Sequence, residues 1–236
     1  MINDHVFADR DSLVAALADD CITRLRSAIE QRRAATMLVS GGRSPVPLYQ
    51  LLAAADLDWS SVTVALVDER WVNSDHSGSN EALVTATLLQ RNAAAARFVA
   101  MKNAAATAAL GWQHCEQAYR QLLRPFDVTI LGMGPDGHTA SLFPAADGLQ
   151  TALAADSDHL CAAITARPSA VTGDLVERMS LTYSGLLQSR QLHLIVTGED
   201  KQAVYQQALA NRDHSAMPVS ALLQQDKIPV LVYRAP

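Results

Sequence analysis

The stretch from Phe126 to Pro144, F-D-V-T-I-L-G-M-G-P-D-G-H-T-A-S-L-F-P, decides how the rest of the chain is interpreted. Its apolar segment Val128 to Leu131 predicts a short buried strand. Glycines and a proline at 132–135 then predict a tight turn. Asp136 and His138 follow that turn. Because open α/β sheets place their chemistry at the carboxyl ends of strands, we predict a functional site here.

Similar strand and helix units lie on both sides of this stretch. Strands are predicted at 35–39, 62–67, 98–101, 159–165, 192–196 and 229–233, with a brief extended piece at 178–182. Helices are predicted from Asp11, as the N-cap, to Arg33, and at 45–52, 80–89, 104–123, from 139 and after 201. The alternation indicates an α/β fold with a mainly parallel sheet and helices on both faces. We expect one domain over residues 1–236. A small lobe inserted around residues 145–180 is an alternative that the sequence leaves open.

Composition excludes several classes of protein. The net charge is −5 and no long basic run exists, which argues against a nucleic-acid partner. No apolar run approaches the ~20 residues of a membrane span, and the N-terminus lacks an apolar signal segment, so we expect a cytoplasmic protein. Cys21, Cys115 and Cys161 show no metal or redox spacing and are expected to be reduced. We expect no metal and no cofactor.

Four predicted strands end in residues that can carry chemistry. These ends are Ser40–Ser44, Asp68–Arg70, Gly132–His138 and Gly198–Lys201. In a parallel sheet such ends share one edge, so residues far apart in sequence are expected to meet there. This convergence points to a single site more strongly than any one motif does.

The first of these ends has the composition of an anion-binding turn. Gly41 and Gly42 let backbone N–H groups approach an anion, and the helix that follows adds partial positive charge. Ser40 and Ser44 offer hydroxyl groups, and Arg43 offers a cation. The spacing is not that of a P-loop. An ordinary strand-to-helix turn is the alternative.

The glycines of the central stretch also match G-x-G-x-x-G, at Gly132, Gly134 and Gly137. We reject a dinucleotide site, because that fingerprint belongs to the first strand and helix of its fold and this match lies deep in the chain. Asp136 would also place negative charge beside a pyrophosphate.

We interpret His138 as a general base and Asp136 as the carboxylate that orients it. An imidazole can take a proton from water near neutral pH, and a carboxylate stabilises the resulting cation. A histidine on a surface loop is the alternative. Arg70 has a competing interpretation as an internal ion pair with its acidic neighbours. For Arg178 and Lys201, the competing interpretation is that each is an ordinary solvated cation.

Taken together, these motifs resemble the 6-phosphogluconolactonase family of the glucosamine/galactosamine-6-phosphate isomerase superfamily. The resemblance rests on S-G-G-R-S-P at 40–45, D-E-R-W-V at 68–72, L-G-M-G-P-D-G-H-T-A-S-L-F-P at 131–144, R-M-S-L-T at 178–182 and V-T-G-E-D-K at 196–201. It implies a Rossmann-like fold with the active site at the carboxyl ends of the strands. It also implies hydrolysis of 6-phospho-D-glucono-1,5-lactone to 6-phospho-D-gluconate in the oxidative pentose phosphate pathway, without cofactor or metal.

The resemblance implies a role for each candidate residue. His138 is the base, with Asp136 beside it and Arg70 near the reacting end. The Ser40–Ser44 loop, Arg178 and Lys201 hold the phosphate of the sugar lactone. The protein is expected as a monomer or a small homo-oligomer.

Two other functions stay open beside the lactonase. Glucosamine-6-phosphate deaminases carry a glutamate shortly after the equivalent histidine, and this chain has T-A-S-L-F-P at 139–144 instead. A sugar-phosphate-binding regulator would keep the phosphate loop but would not need Asp136, His138 and Arg70 together. Both observations favour the lactonase.

Overall fold

A computed structural model describes all 236 residues, from Met1 to Pro236. The helices are α1 Arg10–Arg32, α2 Val46–Ala53, α3 Asn80–Thr87, α4 Ala108–Arg120, α5 Leu149–Leu153, α6 Tyr183–Leu186, α7 Glu199–Ala210 and α8 Val219–Gln224, with short 3₁₀ turns at Trp59–Ser61 and Arg91–Ala95. The strands are β1 Ile2–Val6, β2 Ala35–Val39, β3 Val62–Leu66, β4 Asp68–Arg70, β5 Arg97–Val99, β6 Val128–Gly132, β7 Cys161–Thr165, β8 Glu177–Leu181, β9 Leu192–Thr197 and β10 Val230–Ala235. None of the helices has the length and apolar character needed to cross a membrane.

Seven strands form one sheet in the order β1-β10-β9-β6-β2-β3-β5, and every neighbouring pair is parallel. Helices pack around this sheet, so the predicted α/β class is confirmed. All five residues of the central strand β2 are buried. Continuous apolar runs of this kind are typical of parallel strands that are covered on both faces.

A second sheet of three antiparallel strands, in the order β4-β8-β7, stands beside the main one. It was not predicted, because β4 is only three residues long and its sequence, D-E-R, has no apolar signature. The stretch 145–180 supplies α5, β7 and most of β8 to this region. The description of the chain as one domain with a small lobe stays a prediction.

Three local predictions are wrong. The N-cap of α1 is Asp9, which accepts a hydrogen bond from Ser12 N at 2.8 Å, and not Asp11. Helix α4 begins later than 104, because Thr107 caps it. Residues 139–142 form a turn and not a helix, and Ala140 has a φ of +49°.

Asp127 joins the beginnings of β2 and β6, the two strands that carry the glycine loops. Its side chain is 1% exposed, and it accepts a hydrogen bond from Thr36 N at 3.0 Å. Arg190 Nε donates to the same carboxylate at 3.1 Å, and Arg32 also donates to it. The strand pair is therefore held at its amino end by one buried carboxylate that accepts hydrogen bonds from three groups.

We expect Asp127→Ala to lower the free energy of unfolding by about 1.5–3 kcal/mol. The buried Thr36 N–H and two guanidinium groups would lose a charged acceptor, and hydrogen bonds to charged groups are worth about that much. Urea denaturation measures the change. Asp4→Ala is the matched control: Asp4 also binds an arginine, Arg234, but belongs to a solvent-exposed pair, for which less than about 1 kcal/mol is expected. Equal losses for both variants would contradict the role of Asp127.

Candidate active site

A cavity of about 370 Å³ opens at the carboxyl ends of the parallel strands. Every predicted site residue except Asp136 lines it, namely Ser40, Gly41, Gly42, Arg43, Ser44, Arg70, His138, Arg178 and Lys201. Four of the lining residues are cationic, and Asp68 is the one lining carboxylate. The cavity therefore suits an anionic small molecule.

Asp136 and His138 are in direct contact. His138 Nδ1 lies 2.5 Å from Asp136 Oδ1, and the backbone N–H of His138 donates to the same oxygen at 3.2 Å. Asp136 does not line the cavity itself, whereas the imidazole that it holds does. When Nδ1 donates its proton to the carboxylate, Nε2 is left as a proton acceptor, which is the arrangement that a general base needs.

The glycine turn makes this contact possible. Gly137 has a φ of +76°, which favours glycine, and Gly134 N donates to His138 O at 2.9 Å. A Cβ at Gly134 would lie 2.1 Å from the His138 ring. The G-x-G-x-x-G match therefore serves to bring the backbone close to an imidazole and not to a pyrophosphate.

Asp136 remains ionised beside this imidazole. Burial by itself would raise the pKa of Asp136, but the hydrogen bond and the charge of His138 outweigh it, and the pKa is lowered. The ring of His138 also packs against Phe143, with 4.2 Å between the ring centroids. The imidazole is thus fixed by a carboxylate on one side and an aromatic ring on the other.

The loop Ser40–Ser44 leads from β2 to α2, and its two glycines allow a backbone conformation and a close contact that other residues would not. Gly42 has a φ of +87°, and a Cβ at Gly41 would lie 1.8 Å from Asn80 Oδ1. Ser40 Oγ is buried and has no hydrogen-bond partner in the protein, and Ser40 is one of the residues that line the cavity. A buried hydroxyl without a partner costs free energy unless a ligand satisfies it. This group points to a bound oxyanion.

Lys201 reaches the same loop from the start of α7. Its Nζ lies 3.5 Å from Ser44 Oγ. Burial, followed by the nearby charge of Arg10, lowers the pKa of Lys201. No carboxylate forms an ion pair with it. The sheet thus brings together the predicted ammonium group of Lys201 and the predicted hydroxyl group of Ser44, which are 157 residues apart in sequence.

Arg70 and Arg178 stand opposite each other in the small antiparallel sheet. The competing interpretation of Arg70 as an internal ion pair is wrong, because its guanidinium group donates to the carbonyl of Gly78 and forms no salt bridge with a carboxylate. Its neighbour Glu69 instead accepts hydrogen bonds from the backbone N–H groups of Arg70, Asn80 and Glu81. Both guanidinium groups therefore remain available to a ligand.

Asp68 and Asn80 also line the cavity, and Ser141 supports Asp68, but none of them was assigned a role at the site from the sequence. Ser141 Oγ donates to Asp68 Oδ2 at 2.6 Å, and Asn80 Nδ2 donates to the carbonyl of Asp68 at 2.8 Å. These bonds join the loop after His138 to β4. The D-E-R motif drew attention to Asp68 in the sequence, whereas nothing in the sequence pairs Ser141 with Asp68.

The structure has no group of three or more His, Cys, Asp or Glu side chains that could share a metal ion. The groups described above can offer an oriented imidazole to a water molecule, cations to developing negative charge, and a separate oxyanion site. Together they are suited to the hydrolysis of an anionic substrate.

Comparison with known proteins agrees with this geometry. Residues 8–230 match the model of the family described as glucosamine-6-phosphate isomerases/6-phosphogluconolactonase. A 6-phosphogluconolactonase of Pseudomonas putida is 42% identical over 98% of this chain and 92% of its own length, and one of Rhizobium meliloti is 40% identical over 99% of both. The crystal structure of a 6-phosphogluconolactonase from Shewanella baltica superimposes with a TM-score of 0.94 at 40% identity, covering 100% of this chain and 98% of that one. The family resemblance in the sequence motifs is confirmed, and the chain belongs to the family of glucosamine-6-phosphate isomerases and 6-phosphogluconolactonases.

Proposed function

We propose that this protein is an enzyme that hydrolyses 6-phospho-D-glucono-1,5-lactone to 6-phospho-D-gluconate in the pentose phosphate pathway. Relatives of that name share about 40% of its residues over nearly the whole chain. The observation that carries the proposal is the His138–Asp136 pair, which faces a cavity lined by four cations. We further propose that the enzyme acts in the cytoplasm, where its three free, buried cysteines fit a reducing environment.

The phosphate of the substrate is assigned to the loop end of the cavity. Ser40 Oγ, Ser44 Oγ, the backbone N–H groups near Gly42 and the ammonium group of Lys201 supply donors and charge there. Arg43 adds a further cation at the mouth of the cavity. Binding energy at this remote group positions the lactone carbonyl, and so contributes to lowering the barrier.

The reaction itself is assigned to His138. Its Nε2 accepts a proton from a water molecule as the water oxygen attacks C1 of the lactone. The tetrahedral intermediate carries an oxyanion, for which Arg70 is a donor. The bond from C1 to the ring oxygen then breaks, and the ring oxygen leaves with the proton returned by His138. One water is consumed, and no covalent intermediate is required.

The deaminase alternative has no support in the turn that follows His138. Its hydroxyl groups are already used: Thr139 Oγ1 donates to Gly132 O and Ser141 Oγ donates to Asp68. No carboxylate occurs at 139–144 to relay a second proton. Hydrolysis of a lactone needs only one activated water.

The assay that tests the function couples freshly made 6-phosphogluconolactone to 6-phosphogluconate dehydrogenase, with a blank for spontaneous ring opening. We expect the wild type to accelerate product formation. Saturable binding of 6-phosphogluconate without acceleration would favour a regulator. Release of ammonia from glucosamine 6-phosphate would favour the deaminase.

His138→Ala should lower kcat by about 10²–10⁴-fold, which is the usual contribution of general base catalysis. The same coupled assay measures the change. His114→Ala is the control, because His114 is exposed on α4 and should retain full activity. A kcat for His138→Ala within about threefold of the wild type would remove His138 from this role.

The rate should fall as the pH decreases below neutrality, because a protonated imidazole cannot accept a proton from water. The loss is therefore on the acidic side. The lowered pKa of Asp136 keeps that carboxylate ionised while the imidazole loses its function as a base. The pH profile of kcat/KM, corrected for the blank, measures the effect. A loss of activity only near pH 4 would assign the base to a carboxylate instead.

Ser40→Ala should weaken substrate binding without destabilising the fold. Ser40 Oγ makes no hydrogen bond within the protein, so its removal leaves no internal group unpaired. A lost hydrogen bond to a charged phosphate is worth about 1.5–3 kcal/mol, so KM should rise about tenfold or more. Thermal unfolding and steady-state kinetics measure both. A fall in Tm with an unchanged KM would show that the hydroxyl is structural.

A further inference from the structure

Arg178 lies beside the reacting groups, although the family resemblance implies that it holds the phosphate. It pairs with Arg70 across the β4–β8 register. Its guanidinium carbon lies 5.5 Å from the centroid of Phe143, and the ring of His138 lies 4.2 Å from the same centroid. Phe143 therefore joins the proposed base and Arg178 into one wall of the cavity.

The guanidinium group of Arg178 is buried and has no anionic partner. The residue is 3% exposed. Its Nε donates to Leu175 O at 2.7 Å, and its Nη2 donates to Thr172 O at 3.3 Å. Nη1 has no hydrogen-bond partner in the protein, and no carboxylate forms an ion pair with the group.

Arg178 and Arg70 are adjacent cations that repel each other. Burial, followed by the charge of Arg70, lowers the pKa of Arg178 to about 10, and the nearby charges of Asp68 and Glu69 offset this only in part. The group still carries its proton at neutral pH. A buried charge of this kind costs free energy until an opposite charge pairs with it. The pair is therefore arranged to receive an anion that a ligand brings.

The proposed phosphate groups and the two arginines come from different elements around the cavity. Lys201 Nζ lies 3.5 Å from Ser44 Oγ, in the loop between β2 and α2, whereas Arg70 and Arg178 belong to the antiparallel sheet and Arg178 packs on Phe143. Asn80 separates the two regions: it packs against Gly41 of the phosphate loop on one side and donates to Asp68 of β4 on the other. The cavity thus has two cationic ends, and the substrate has two ends that carry negative charge during the reaction.

We propose that Arg178 acts with Arg70 on the oxygen atoms of C1, binding the oxyanion of the tetrahedral intermediate and then the carboxylate of the product, and does not hold the phosphate. This inference rests on the proposed function and adds a catalytic residue to it. Arg70 and the proposed base His138 then face the same reacting carbon.

Two ligands that differ only at C1 test this assignment. 6-Phosphogluconate carries a carboxylate at C1, whereas sorbitol 6-phosphate carries a hydroxymethyl group and the same phosphate. In titration calorimetry, Arg178→Ala should weaken 6-phosphogluconate about tenfold or more and sorbitol 6-phosphate less than about twofold, because only the first loses a charged hydrogen bond. Lys201→Ala should weaken both ligands by similar factors.

Kinetics supply a second readout. Loss of one oxyanion donor lowers kcat by about 10²–10³-fold, and KM should change little in Arg178→Ala. Added guanidinium chloride should restore part of the kcat of Arg178→Ala and none of that of Lys201→Ala. Arg212→Lys, a change on an exposed surface, is the control and should match the wild type.

The loop 172–175 depends on hydrogen bonds from Arg178, so Arg178→Lys serves as a second variant if the alanine variant does not fold. It keeps the charge but loses the forked geometry, and should show the same selective loss in weaker form. Equal weakening of both ligands, or an unchanged affinity for 6-phosphogluconate, would overturn the assignment. A wild type that binds both ligands but does not accelerate lactone hydrolysis would instead overturn the proposed function and the catalytic part of this inference with it.

Discussion

The parallel pairing of β2 with β6 fixes the distance between the two loops on which the site depends. Met37 and Leu38 are paired with Val128 and Thr129, and the buried carboxylate of Asp127 holds the beginning of both strands. Since neighbouring strands are about 5 Å apart, the loops at their carboxyl ends must lie side by side. The Ser40–Ser44 loop and the loop that carries His138, almost 100 residues apart in sequence, therefore share one cavity.

The cationic groups of the cavity form no salt bridges, because the nearby carboxylates are bonded to other groups. The buried carboxylates near the site are used by the fold: Glu69 accepts backbone N–H groups at the start of α3, and Asp68 accepts the hydroxyl of Ser141. The cations at the cavity wall consequently form no salt bridge with a carboxylate of the protein. An anionic ligand meets groups that are already positioned and need not first break an ion pair, which is the electrostatic preorganisation that stabilises developing charge.

Much of the fold could be predicted from the sequence, because its signals are local. The apolar run at 128–131 and the glycines after it are visible without a structure, and so is the alternation of strands and helices. Asp136 and His138 could be paired because they are two residues apart on a tight turn. Position 70 was harder to interpret, since the acidic neighbours that suggest an ion pair have other partners. Glu69 accepts hydrogen bonds from backbone N–H groups, and Asp68 accepts one from the hydroxyl of Ser141.

The sequence by itself determined the fold class, the edge of the sheet that carries the chemistry, and the oriented imidazole, because these follow from hydrophobic periodicity and from residues close together in the chain. Only the tertiary structure decided which wall of the cavity each cation occupies. Arg178 lies beside Arg70 and Phe143 through the register of β4 with β8, and Ser141 finds Asp68 through a contact spanning 73 residues. Such contacts depend on how separate elements pack, and no local pattern encodes them.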